Sequence, residues 1–132
     1  MGQLPDPRHV GSKELRAGPR TPEEARRFLS KALERFNVEV DEDAAHLLTS
    51  EIASNAVRHG KEPIDVSISV EEQGLRVSIF DHGSGFDPNE LRLDQGFSPD
   101  PESGRGLQMV RNLSSDWGVE PREDGTAVWF RL

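Results

Sequence analysis

The chain has 132 residues, with 16 Lys and Arg against 24 Asp and Glu, which sets the net charge at −8. That length fits one domain, and the acidic balance repels phosphate backbones, which sets nucleic acid aside as a partner. There is no Cys, which excludes disulfides, thiolate metal sites and cysteine catalysis, and no apolar run approaches the roughly 20 residues that span a bilayer. Met1 to Pro7 contains no apolar stretch of signal-peptide type, so a soluble cytoplasmic protein is expected.

Residues 1–11 are polar with two prolines and read as a flexible N-terminus; residues 12–132 read as a single domain. Ser12 to Ala17 suits a short edge strand. Thr21-Pro22-Glu23-Glu24 is a helix start, with Thr21 as cap, Pro22 in the first turn and Glu24 completing a capping box. Ala25, Phe28, Leu29, Ala32, Leu33 and Phe36 then recur at helical spacing and predict a helix over 22–36. Asp41 starts a second helix whose apolar stripe is Ala45, Leu48, Ile52 and Ala56, and Gly60 ends it.

Ile64, Val66, Ile68 and Val70 alternate with polar residues, as do Leu75, Val77 and Ile79; Glu71-Glu72-Gln73-Gly74 between them predicts an antiparallel hairpin. Residues 82–103 are rich in Gly and Pro and show no periodicity, the mark of a functional or disordered loop. Gly106 opens a third helix with Leu107, Val110 and Leu113 on one face. Two strands close the chain, Trp117 to Glu120 and Thr126 to Leu132, turned by Pro121 to Gly125. The order predicts an α+β fold, a two-layer sandwich of helices on a mostly antiparallel mixed sheet.

Three short motifs carry the chemistry. Glu51 and Asn55 stand four apart on the second helix and share a face at the margin of its apolar stripe. They suit either the floor of a pocket or an ordinary solvated pair. Asp81-His82-Gly83-Ser84-Gly85 follows a strand directly. Asp81 there is a hydrogen-bond acceptor at a fixed strand end, and Gly83 and Gly85 admit a flat ligand close to the backbone; a plain glycine turn fits the same residues. Gly104-Arg105-Gly106 runs into a helix N-terminus, where backbone N–H groups and a guanidinium attract phosphate oxygens; a flexible hinge is the alternative. No Gly-Lys-Ser/Thr follows, so this is no Walker A loop, and no parallel βαβ unit makes it a dinucleotide fingerprint.

The order and spacing of the three motifs resemble the Bergerat ATP-binding fold of the GHKL superfamily, the histidine-kinase-like ATPases. The first motif is then the run Glu51 to Gly60, the second Asp81 to Phe86, the third Gly104 to Leu107, and Gly125-Thr126-Ala127-Val128 is the strand closing the adenine pocket. Within the superfamily the chain most resembles the anti-sigma-factor serine kinases of the RsbW and SpoIIAB type, over about residues 12–132.

That resemblance implies ATP and Mg²⁺ as cofactors. Asn55 becomes the metal ligand, Asp81 the acceptor of the adenine amino group, and Gly83 and Gly85 the shapers of the adenine-side loop. Gly104, Arg105, Gly106 and Leu107 hold phosphates, Thr126 adds a polar contact near adenine, and Glu51 is the catalytic base. Residues 86–103 become the lid over the nucleotide, although Arg92 is the single basic residue between Phe86 and Ser103. The partners implied are a sigma factor and a STAS-type anti-anti-sigma protein, with a homodimer common in the family.

Two other functions fit the same residues: an ATP-holding interaction module without transfer, and a small ATPase in which Glu51 activates water. Superfamily ATPases normally carry further domains, so size favours the kinase and the module. His9, His46, His59 and His82 match no zinc spacing, and a phospho-accepting histidine would need a dimerising helical hairpin for which no room is expected. Trp117, Trp129, Phe130 and Phe28 read as core or sheet-face residues.

Overall fold

A computed structural model describes residues 9–36, 38–59, 61–71, 74–83 and 113–132. Strand β1 (His9–Leu15) leads into helices α1 (Thr21–Phe36) and α2 (Glu42–His59). The hairpin β2 (Ile64–Glu71) and β3 (Gly74–Asp81) follows, and β4 (Asp116–Arg122) with β5 (Gly125–Arg131) ends the chain. The strands form one five-stranded sheet in the order β1-β2-β3-β5-β4. All four strand pairs are antiparallel. Strand β5 is therefore inserted between β3 and its own hairpin partner β4. Both helices pack on one face, α1 against β1 and β2, α2 against β3 and β5. This is the expected α+β sandwich.

The core lies between these two layers. Leu29, Leu33, Leu48 and Ile52 from the helices meet Val66, Ile68, Leu75, Val77, Ile79 and Phe130 from the sheet, all buried. Small residues on the facing helices, Ala25 and Ala32 on α1 with Ala45 and Ala53 on α2, are buried as well. Two polar rungs join the same helices: Arg26 Nη1 donates to Ser50 Oγ at 2.6 Å, and Ser30 Oγ lies 2.7 Å from His46 Nε2.

Helix α2 starts as expected, because Asp41 Oδ1 accepts the Ala44 N–H at 3.1 Å. Helix α1 starts differently. The Thr21 hydroxyl turns back onto the preceding turn, donating to the Arg16 carbonyl at 2.6 Å and accepting the Gly18 N–H at 2.9 Å. The Glu24 N–H goes to the Arg20 carbonyl instead, so the capping box does not form.

Strand β1 begins three residues before the expected Ser12, and its pairing with β2 shifts register between His9 and Gly11. The β4–β5 turn is tighter than expected, since Arg122 already pairs with Gly125. Pro121 lies within β4, an edge strand, where proline is tolerated. The expected third helix and the lid lie outside the described residues, apart from Leu113, which is exposed.

The other face of the sheet carries no helix among the described residues. Ser67 and Ser78 pair across β2 and β3, and Ser12 pairs with Ser67. The Trp129 indole lies against Gly118, where a Cβ would meet it at 2.7 Å. Arg76 and Arg131 stack on the same indole, 4.4 Å and 5.5 Å from its centroid. Arg76 and Arg122 also share the Glu120 carboxylate, at 3.4 Å and 3.1 Å.

Candidate functional site

Strand β3 exposes the site by its periodicity. Leu75, Val77, Ile79 and Asp81 are buried in alternation, while Arg76, Ser78 and Phe80 face the other side. Asp81 is thus the fourth member of an inward-facing row whose first three members are apolar. It is only 2% exposed. A carboxylate in that position costs several kcal/mol of desolvation unless it is hydrogen-bonded. Part of the compensation is local: Asp81 Oδ1 accepts the Gly83 N–H at 2.8 Å, closing a tight turn at the strand end.

Thr126 of β5 sits opposite Asp81 in the register and is also buried. The preceding Gly125 is packed against the same spot. A Cβ there would fall 2.0 Å from the Asp81 carbonyl oxygen and 2.7 Å from Phe80 Cζ. Asp81, Gly83, Gly125 and Thr126 therefore converge at one end of the β3–β5 pair. A buried acceptor beside a buried hydroxyl suits a flat ligand edge with a donor to offer, while the missing Gly125 side chain makes room for the Asp81 carbonyl and the Phe80 ring.

Helix α2, packed on these same two strands, carries Glu51 and Asn55 one turn apart. Asn55 is 4% exposed and Glu51 is half-buried. Neither belongs to a plain solvated face. Asn55 offers a hard carboxamide oxygen. No cluster of three or more His, Cys, Asp or Glu suited to a metal occurs among the described residues. Such a donor set fits Mg²⁺, which binds through one or two protein oxygens and keeps water and phosphate oxygens as its other ligands.

Gly85, Gly104, Arg105, Gly106 and Leu107 lie outside the described residues, as does the expected lid at 86–103. Gly125, which the resemblance puts in the strand closing the adenine pocket, has the Asp81 backbone packed where its side chain would be, a contact the sequence does not show. The sequence singles out His82 only as a metal ligand or phosphate acceptor, neither of which fits its spacing. In the structure His82 Nε2 lies 3.2 Å from Asp65 Oδ2 on the open face of the sheet.

Comparison with known proteins bears on the family and the fold. Residues 15–132 match the model of the histidine kinase-like ATPase domain, and the chain belongs to that family. No curated protein matches the chain. Among solved structures, it is similar to the histidine kinase domain of a blue-light-activated histidine kinase from Erythrobacter litoralis, with 25% identity and a TM-score of 0.52. That similarity covers 69% of this chain and 43% of the other, so the chain spans less than half of that protein's length. The catalytic domain of the histidine kinase ThkA, in a nucleotide-free form, shares 16% identity at a TM-score of 0.58, over 92% of this chain and 97% of that one. The histidine kinase AdeS of Acinetobacter baumannii shares 13% identity at a TM-score of 0.58, over 93% and 67%. The last two likenesses speak for the fold. No described helix is long and apolar enough to cross a membrane.

Proposed function

We propose that this chain is an ATP-dependent serine/threonine protein kinase acting as an anti-sigma regulator. It phosphorylates an anti-anti-sigma antagonist of the STAS type and sequesters a sigma factor. The observation that carries the nucleotide part is Asp81, a buried carboxylate on the inward row of β3, opposite Thr126 and fixed by the Gly83 N–H. The serine/threonine and anti-sigma parts rest on the resemblance of the run Glu51 to Gly60 and of the chain as a whole to that kinase class.

The roles follow from the donor types. Asp81 can only accept when ionised, so it pairs with an exocyclic amino group and disfavours a carbonyl at the same position. The Asn55 oxygen would hold Mg²⁺, which supplies charge neutralisation at the phosphates when bound. Glu51, one helical turn away, takes the proton of the attacking hydroxyl as the Ser or Thr oxygen bonds to the γ-phosphorus. The bond to the bridging oxygen breaks, and ADP leaves. Phosphate contacts fall to Gly104, Arg105, Gly106 and Leu107. The cytoplasm is the compartment this function requires.

The test is incubation with labelled ATP, Mg²⁺ and candidate antagonist proteins from the same genome. Acid-stable label on a serine or threonine of an antagonist supports the proposal. Acid-labile label on a histidine, nucleotide binding without transfer, or release of free phosphate alone each refutes the serine/threonine assignment. They point to a histidine kinase, an interaction module or an ATPase in turn.

A further inference from the structure

We propose that His82 is a positioning residue for Asp81, acting from the opposite face of the sheet; the inference rests on the nucleotide reading above. Alternation sends the Asp81 side chain into the core and leaves its neighbour His82 on the open face, half-exposed. There His82 is held in three ways. Its ring Nε2 lies 3.2 Å from Asp65 Oδ2. Its edge meets the Phe80 ring at 4.8 Å between centroids and 78° between planes. Its backbone N–H donates to the Lys61 carbonyl at 3.0 Å.

These three contacts come from separate parts of the chain. Lys61 follows the helix that carries Glu51 and Asn55, Asp65 lies on β2, and Phe80 lies on β3, opposite Asp65 in the register. His82 therefore ties the turn after β3 to the end of the α2 segment and to the neighbouring strand. The peptide it fixes is the one that aims the Gly83 N–H at Asp81 Oδ1. Since the Asp65 carboxylate accepts only, the His82 Nε2 carries the hydrogen whether or not the ring is charged. Freed from Asp65 and Phe80, the 82–83 peptide can rotate, and Asp81 loses the partner that orients it.

A half-exposed pair of this kind contributes little to global stability. That separates positioning from structure. In the full chain with Mg²⁺, ATP and GTP affinities are measured by calorimetry for the parent, His82→Ala, His82→Gln and Asp81→Asn. His82→Ala is expected to weaken ATP about tenfold, the usual size of an outer-shell effect. It should also narrow the ATP-over-GTP preference, with melting unchanged within about 2 °C. His82→Gln keeps a donor toward Asp65 and should recover most of both. Parent-like ATP affinity in His82→Ala, alongside loss in Asp81→Asn, overturns the proposal and leaves the nucleotide reading standing. So does a loss of affinity that tracks a collapse in melting temperature, or equal losses in His82→Ala and His82→Gln. A parent protein that binds no ATP removes the nucleotide reading and this inference together.

Discussion

Gly125→Ala isolates the tightest approach at the site. The glycine is outside the left-handed region, so the obstacle is space alone: the new methyl would sit 2.0 Å from the Asp81 carbonyl oxygen and 2.7 Å from Phe80 Cζ. Phe80 can swing aside, but the Asp81 carbonyl is backbone inside the β3–β5 pair. Ordinary contact requires a separation gain of about 1.5 Å. A shift of that size parts the strands at their Asp81–Thr126 end. Overpacking of this kind costs about 1–3 kcal/mol, and a lost ladder bond adds about 1 kcal/mol. For a chain of this length the sum lowers the melting temperature by about 8–16 °C. Gly18→Ala is the control, because a Cβ there meets nothing within 4 Å. It should raise stability by about 0.4–1 kcal/mol through the unfolded state. Thermal unfolding by circular dichroism reads both, and an ATP titration should show weaker binding for Gly125→Ala alone. Equal melting of the two variants would refute the reasoning.

The remaining predictions address the chemistry and the core. Glu51→Gln should leave ATP affinity within a few-fold while lowering phosphoryl transfer about 10²–10⁴-fold, read by paired titration and transfer assays; a parent transfer rate would remove Glu51 as base. Asn55→Ala should weaken Mg·ATP binding itself, seen in the same titration as a loss that extra Mg²⁺ only partly restores. The parent should prefer ATP to GTP because a purine carbonyl would face the Asp81 carboxylate, a mismatch worth roughly 1–3 kcal/mol; competition between the two nucleotides checks it, and equal affinities would release Asp81 from that role. Phe130→Ala removes a fully buried ring and should destabilise the fold by about 3–5 kcal/mol in denaturant titration. Asp116→Ala breaks a pair with Arg131 at 3.1 Å on an exposed edge, and a change above about 1 kcal/mol would contradict its surface position.

The helices and the central hairpin were legible because one buried face imposes a period. Leu48, Ile52 and Ala56 mark α2, and Leu75, Val77 and Ile79 mark β3. Asp81 was legible as an acceptor for the same reason, extending an apolar alternation by one polar step. The start of β1 was not, since the register shift between His9 and Gly11 interrupts the period there. The cap of α1 was misread because a Thr hydroxyl has several backbone partners in reach, and the Arg16 carbonyl wins over the helix's own N–H groups. The packing of Gly125 on Asp81 joins residues far apart in sequence, which no local pattern encodes.

The placement of β5 between β3 and β4 has a kinetic consequence. The β2–β3 hairpin and the α1–α2 pair draw on contacts that are short in sequence range, whereas β1 reaches β2 across about 50 residues or more. The Asp81–Thr126 pair likewise closes a loop of about 45 residues, whose entropy must be paid before the contact returns anything. Long-range pairing of this kind slows folding. The order of events follows: a β2–β3 hairpin with Asp81 at an unfinished border, then the long-range closures, β1 onto β2 and the β4–β5 hairpin along β3. The candidate site comes into being only when β5 docks, and its opening by release of the hairpin would register in hydrogen exchange as one cooperative unit, with the amides of β5 and the end of β3 exchanging together.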